Sequence, residues 1–177
     1  VTHTVFVECR SKWDRDAEPH MAPVGETRFV AGEAAEMAER DGADIRAIVS
    51  HADLLQGDAV AEVLAAHDKA GAGLFRGIRH ATPWDEDPDA HNAHTGSFQH
   101  MMRSPEFVAG ARTLASMGFS FDSWLYHHQI AELVELARAV PDLTIILDHL
   151  GGRLGVGTYS EQRDKIKVLE KIARLDG

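Results

Sequence analysis

The chain has one cysteine, no excess of basic residues and no long apolar run, and each shortage removes a class of function. Cys9 has no partner for an internal disulfide, which suits a reducing cytoplasm. Its expected role is that of a small buried residue on a strand. Lys and Arg total 18 against 28 Asp and Glu, a formal net charge of −10. A polyanion partner such as a nucleic acid is therefore not expected, because phosphate backbones are bound by excess positive charge. No apolar stretch approaches the length that crosses a bilayer, and none follows a basic segment as a secretory signal would. No Gly-x-Gly-x-x-Gly follows a strand, so dinucleotide binding has no support. The Gly151 to Gly157 stretch lacks the Lys-Ser/Thr of a phosphate loop.

What the chain does have is 44% apolar residues, enough for one globular domain over residues 1–177, and eleven histidines. Apolar, β-branched runs predict strands at 3–9, 45–51, 75–81, 119–127 and 144–149. Helical periods lie between them. Ala34, Met37 and Ala38 mark one, and Val60, Val63 and Leu64 a second. Ser104 before Pro105 reads as the cap of a third. Ile130, Leu133, Val134, Ala137 and Val140 form the buried face of a fourth, ended by Pro141. Ile166, Leu169 and Ile172 mark the last. Strand–helix alternation at this spacing implies parallel βαβ units, which a barrel and an open doubly wound sheet both satisfy. A complete (β/α)8 barrel has eight units, whereas this chain shows five. Val1 already enters a strand and Gly177 follows a helical stretch, so the expectation is a partial TIM barrel truncated at both ends.

Catalytic groups of such barrels sit at the carboxyl ends of the strands. Here three strand ends carry histidine: His51, His127-His128 and Asp148-His149. Imidazole at a tip can ligate a metal or move a proton near neutral pH. A core histidine with satisfied hydrogen bonds is the competing reading. His149, next to Asp148 and before Gly151-Gly152, is a candidate general acid or base, with Asp148 as its orienting or ligating neighbour. The alternative for Asp148 is capping of the following turn. Arg76 and Arg79 should face opposite sides of one strand. Arg79, nearer the carboxyl end, is the candidate to hold a substrate carboxylate through two parallel hydrogen bonds, and a structural ion pair is its alternative. His51-Ala52-Asp53 offers another catalytic or ligand pair. The long segments 10–25 and 82–103 follow strands and should form a rim over the pocket. Trp84 in the second could stack on a substrate ring, whereas Trp124 reads as core and His91-x-x-His94 as solvated surface.

The runs Phe75-Arg-Gly-Ile-Arg-His80, Phe121-Asp-Ser-Trp-Leu-Tyr-His127 and Ile145-Ile-Leu-Asp-His-Leu-Gly-Gly152 resemble the amidohydrolase-related proteins of the "amidohydrolase 2" type. The opening Val1 to Arg10 and Val24 to Val30 are similar to that group as well. The resemblance implies a metal-dependent hydrolase with a TIM-barrel fold, acting on a small carboxylate-bearing molecule. Relatives include lactonases of sugar acids and dicarboxylates and decarboxylases of aromatic or muconate-type acids. It makes the strands here the second to sixth of the barrel. It implies that His127, or else His128, is a ligand to a divalent metal such as zinc, and that His149 acts beside that metal. The family's His-x-His on the first strand and aspartate on the eighth are absent from this sequence. The expected activity is opening of a carboxylated lactone or related ester by activated water. Arg79, His51 and Trp84 are expected to contact substrate. A decarboxylase and a non-catalytic fragment are the alternatives, and a homo-oligomer is left open. The chain by itself is expected to be inactive and prone to associate through open sheet edges.

Overall fold

A computed structural model describes residues 1–40, 42–90 and 96–162. The helix expected around 166–172 and the His91–His94 pair lie outside the described residues. The strands are β1 (His3–Val7), β2 (Asp44–His51), β3 (Phe75–Arg79), β4 (Ser120–Ser123) and β5 (Ile145–Leu147). They form a single sheet in sequence order, every neighbouring pair parallel. Four helices alternate with them: α1 (Val24–Met37), α2 (Val60–Ala70), α3 (Pro105–Ser116) and α4 (Ile130–Ala139). The result is half of a barrel, the partial barrel expected from five strand–helix units. No helix among the described residues is long and apolar enough to cross a membrane.

The two faces of the sheet follow from register. Ile78 pairs with Phe121 and Phe121 with Ile145. These residues face the helices, in one core with Val63, Leu64, Phe107, Leu114, Leu133 and Leu136. The other face is concave and carries Val49, Gly77, Arg79, Asp122 and Ile146, joined by the pairs Val49–Gly77, Arg79–Asp122 and Asp122–Ile146. Gly77 is required there, because a Cβ would run into the backbone carbonyl of Ser120 on the next strand. The concave face leaves Val5 59% and Ile146 44% exposed.

Capping and packing set the helices. The Ser104 hydroxyl accepts from the Phe107 N–H at 3.3 Å, and Pro105 occupies the first turn, as expected of a cap. In α4 the buried face is Leu133, Leu136 and Val140, while Val134 is 42% exposed. Val134 and Ala137 therefore do not belong to that face. The helix is turned so that Glu132 is buried and meets the His100 ring at 2.9 Å.

Three further expectations change. Cys9 is exposed rather than a buried strand residue, because β1 ends at Val7 and the chain leaves the sheet. β4 ends at Ser123, so His127 and His128 stand on a 3-10 turn, His127–Gln129, where the His127 N–H donates to the Gly152 carbonyl at 3.0 Å. β5 ends at Leu147, and Asp148-His149-Leu150 is a turn with His149 at φ 53°. Trp124 likewise lies past its strand, half-buried against a satellite cluster of Ala90, Tyr126, Leu154 and Tyr159.

Candidate active site

At the carboxyl end of the concave face one guanidinium is ringed by three carboxylates. Arg79 closes β3. Its Nε donates to Glu8 Oε1 at 2.9 Å and its Nη2 to the Glu8 carbonyl at 2.6 Å. Its Nη1 stands 3.5 Å from Asp148 Oδ2. Asp122, its partner in register on β4, shares the same face. Glu8 is 7% and Asp122 5% exposed. Glu8 Oε2, Asp122 Oδ1 and Asp148 Oδ2 are buried and have no hydrogen-bond partner. Burial first, and then the Asp148 charge, push the Asp122 carboxyl up to about 6, and the Arg79 charge opposes them. Arg76 points away, to the carbonyls of Gly73 and Phe75, as three-residue spacing requires.

His51 ends β2 beside this group. A carbonyl can only accept, so the 3.1 Å contact with the Arg79 oxygen puts the proton on His51 Nδ1 and leaves Nε2 as a lone pair. The ring stacks on Trp13 with centroids 5.5 Å apart. A pocket of about 490 Å³ opens here, lined by Trp13, Pro19, His20, Pro23, His51, Asp53 and Gln56. Burial lowers the His51 pKa, against the opposing pull of Glu8. Asp53 does not pair with His51; its carboxylate caps the next turn by accepting from Leu55 N–H at 2.9 Å.

Behind the tip a buried relay fixes the His51 backbone. His67 on α2 must donate from Nε2 to the His51 carbonyl at 3.0 Å. Its Nδ1 then accepts from the Thr27 hydroxyl at 2.8 Å, and Thr27 accepts from Ser50 at 2.6 Å. Burial takes His67 down to about 4. His80 lies edge-on to His51, accepts from the Leu54 N–H at 3.1 Å, and is held down to about 3 by burial. An imidazole that accepts at Nδ1 is neutral, so the 3.7 Å approach of Asp53 to that same atom is not an ion pair.

Trp84 and His51 do not share a pocket. Trp84 lines a second one of about 510 Å³ with Asp85, Glu86, Asp87, Gln99, His128 and Tyr159. His128 stacks on Tyr159 at 5.7 Å and approaches Asp85 at 3.3 Å, while Tyr159 donates to Asp85 at 2.8 Å. His127 is half-buried, its Nδ1 without a partner, and burial lowers its pKa. His149 is exposed on its turn, at the same end of the sheet.

Two residues of the ringed group, Glu8 and Asp122, carry no role in the sequence reading. The available signal was a carboxylate set inside or at the end of an apolar strand, where only a partner on another strand justifies it. The metal that the resemblance implies finds no complete ligand set among the described residues. No group of three or more His, Cys, Asp or Glu among the described residues could hold one, and His127 contributes a single unpartnered nitrogen.

A family model described as amidohydrolase matches residues 12–173. An uncharacterized protein of Sinorhizobium fredii, y4mH, is 34% identical over 154 residues, covering 86% of this chain and 48% of that protein. The chain thus spans about half the length of this curated relative. Among solved structures, an amidohydrolase from Burkholderia multivorans with bound HEPES is 22% identical with a TM-score of 0.48, covering 71% of this chain and 37% of the other. Amidohydrolase 2 from Bifidobacterium longum subsp. infantis is 22% identical with a TM-score of 0.39, covering 90% and 64%.

Proposed function

The chain belongs to the amidohydrolase family, and on that premise we propose that it carries the acid–base half of a site that hydrolyses a small carboxylated lactone or related ester. The observation that carries this reading is the state of Arg79. Two of its N–H donors are spent on Glu8 and Nη1 also faces Asp148, which leaves the remaining Nη hydrogens for a ligand at the open end of the sheet. Those donors suit a substrate carboxylate, or the oxygen that becomes anionic when water adds to the carbonyl. Asp148, ion-paired to the same guanidinium, takes the proton of the attacking water in this reading, with the exposed His149 as its outlet to solvent. His51 offers Nε2 and the Trp13 pocket offers an apolar wall for the rest of the substrate. Trp84 and His127 belong to the neighbouring pocket region and enter none of these steps. No step is routed through a metal. The free thiol of Cys9, exposed beside β1, suits a reducing cytoplasm.

The test is product analysis. The intact gene product is incubated with a panel of carboxylated and neutral lactones, and products are followed by NMR. Ring-opened hydroxy acid, faster from carboxylated lactones, supports the reading. Release of carbon dioxide from an aromatic or muconate-type acid transfers the scaffold to a decarboxylase, and no turnover of any of these removes the enzymatic reading.

A further inference from the structure

We infer that Asp122 is the acid of this site, the last of the three carboxyls to ionise, which in its protonated form delivers its proton to the leaving oxygen as the ester or lactone bond breaks. The inference rests on the hydrolytic reading above and adds the group that reading lacks. Water attack on a lactone needs a base for the water proton, and it also needs a proton for the ring oxygen, which otherwise departs as a strongly basic alkoxide. Asp148 supplies the base. Those groups leave the acid unassigned: Arg79 does not give up a proton, His67 and His80 are buried and neutral, the His51 proton is held by the Arg79 carbonyl, and His149 serves as the outlet of Asp148.

Asp122 meets the requirement by its surroundings. It sits at the carboxyl end of the concave face, opposite Arg79 in register, and two residues below the level of Asp148, because its β5 partner is Ile146. The charged and titratable groups on the elements around it are Glu8 past β1, His51 on β2, Arg79 on β3 and Asp148 past β5. Three carboxylates cannot all ionise beside one guanidinium at no cost. The Glu8 carboxylate accepts one Arg79 hydrogen bond, with a second going to its backbone carbonyl, and Asp148 has an ion pair, whereas no Arg79 bond reaches Asp122. Asp122 is therefore the member that keeps its proton, and its Oδ1 is buried with no partner of its own. Its raised pKa, about 6, agrees with that order.

The step balances. Water adds to the carbonyl carbon and its proton passes to Asp148. The carbon–oxygen bond of the ring then breaks, its electron pair stays on the ring oxygen, and the Asp122 proton joins that oxygen to form the alcohol. Asp122 is left as a carboxylate facing Arg79, which stabilises the charge. Asp148 returns its proton through solvent, Asp122 is reprotonated, and no oxidant or other reactant enters.

The experiment uses Asp122→Asn and Asp122→Glu in the intact gene product, with an alkyl lactone and a nitrophenyl ester of the same acid. Asn keeps the shape and has no acidic proton. It should lower kcat on the lactone by about 10²-fold or more, and much less on the nitrophenyl ester, whose leaving group departs without a proton. The Glu variant should recover part of the lactone rate. The basic limb of the wild-type pH–rate profile should vanish in the Asn variant. A ¹³C NMR titration of the aspartate carboxyls should show one resonance titrating near 6 that is lost in Asp122→Asn. Equal losses on both substrates, or an Asp122 carboxyl titrating at about 4, in the ordinary range, overturn the inference. If the wild type opens no lactone or ester, the hydrolytic reading fails by itself, and the titration still decides whether Asp122 holds the proton.

Discussion

Replacing Arg79 by Met tests the charge arrangement through stability as well as through substrate binding. The isolated side chain invites the expectation of a large rise in KM and an intact fold. The ion pairs add a structural cost. The guanidinium is 21% exposed and compensates Glu8 and Asp148, while Asp122 lies beside it with unpaired oxygen. Removing one partner from a buried pair costs roughly 3–5 kcal/mol, because the other charge is left without compensation. With Arg79 partly solvated, the lower end applies, about 3 kcal/mol. For a domain of this size that is a fall in Tm of roughly 6–12 °C.

The loss should depend on pH with a definite sign. Without the guanidinium, Asp122 loses the one charge that opposes its upward shift, and its neighbours lose their counter-charge. A raised carboxyl destabilises the fold while it must be ionised, so the deficit is full near pH 8 and shrinks as pH falls toward about 4, where the unfolded carboxyls are protonated too. Thermal melts of wild type, Arg79→Met and Arg79→Lys at pH 8 and pH 4.5 measure this directly. Lys restores the charge without the two-point grip on Glu8, so it should recover only part of the difference. A Met variant that melts within a degree of wild type at pH 8, or is equally destabilised at both pH values, refutes the charge argument.

Gly110→Ala should destabilise by about 1–3 kcal/mol despite alanine's helix propensity, because its Cβ would strike the Leu54 carbonyl, whereas Gly32→Ala on α1 meets nothing within 4 Å and should gain about 0.5–1 kcal/mol in chemical denaturation. Thr27→Val keeps the shape but leaves Ser50 and His67 Nδ1 unpaired, so urea melts should show a loss of about 1–3 kcal/mol. His67 and His80 are neutral in the fold and become protonated on unfolding below their unfolded pKa of about 6.5. Stability from these two groups should therefore fall as pH drops from 6.5 toward 4, and His67→Gln should flatten that slope in a pH series of melts. Asp122→Asn removes a carboxyl that the fold resists ionising, so it should raise stability at pH 8 by on the order of 2 kcal/mol and leave it unchanged at pH 4.

Local chemistry explains which parts of the fold were legible. Runs such as Thr144-Ile145-Ile146-Leu147 announce strands because both faces of a parallel sheet in this fold class are apolar, and Ser104-Pro105 announces a helix start because the cap is contained in four residues. Where a residue's partner lies far along the chain, the reading failed. The apolar pattern of α4 allows two faces, and the choice is made by the Glu132–His100 contact across 32 residues. The apolar runs carry the expected strands on to 127 and 149, whereas the hydrogen bonding of the Gly151-Gly152 backbone folds both tips into turns.

The same distance rule governs the site. The tip histidines draw attention because each is titratable in isolation, yet His51 spends Nδ1 on the Arg79 carbonyl, and His127 and His128 stand by the second pocket or its margin. The residues that converge are joined across the barrel arc: Arg79 reaches Glu8 over 71 positions, and Asp122 joins them only through register. With Glu8, Asp122 and Asp148 all ionised, three negative charges would face one positive charge, and a carboxylated substrate would meet net repulsion at the guanidinium meant to receive it. Where Asp122 holds its proton, one of those charges is removed before the substrate arrives. An anion bound at Arg79 then raises the Asp122 pKa further, so binding and proton retention favour each other. One carboxyl thus serves both admission of an anionic ligand and protonation of its leaving oxygen, which gives a physical reason for a buried aspartate in the middle of this sheet.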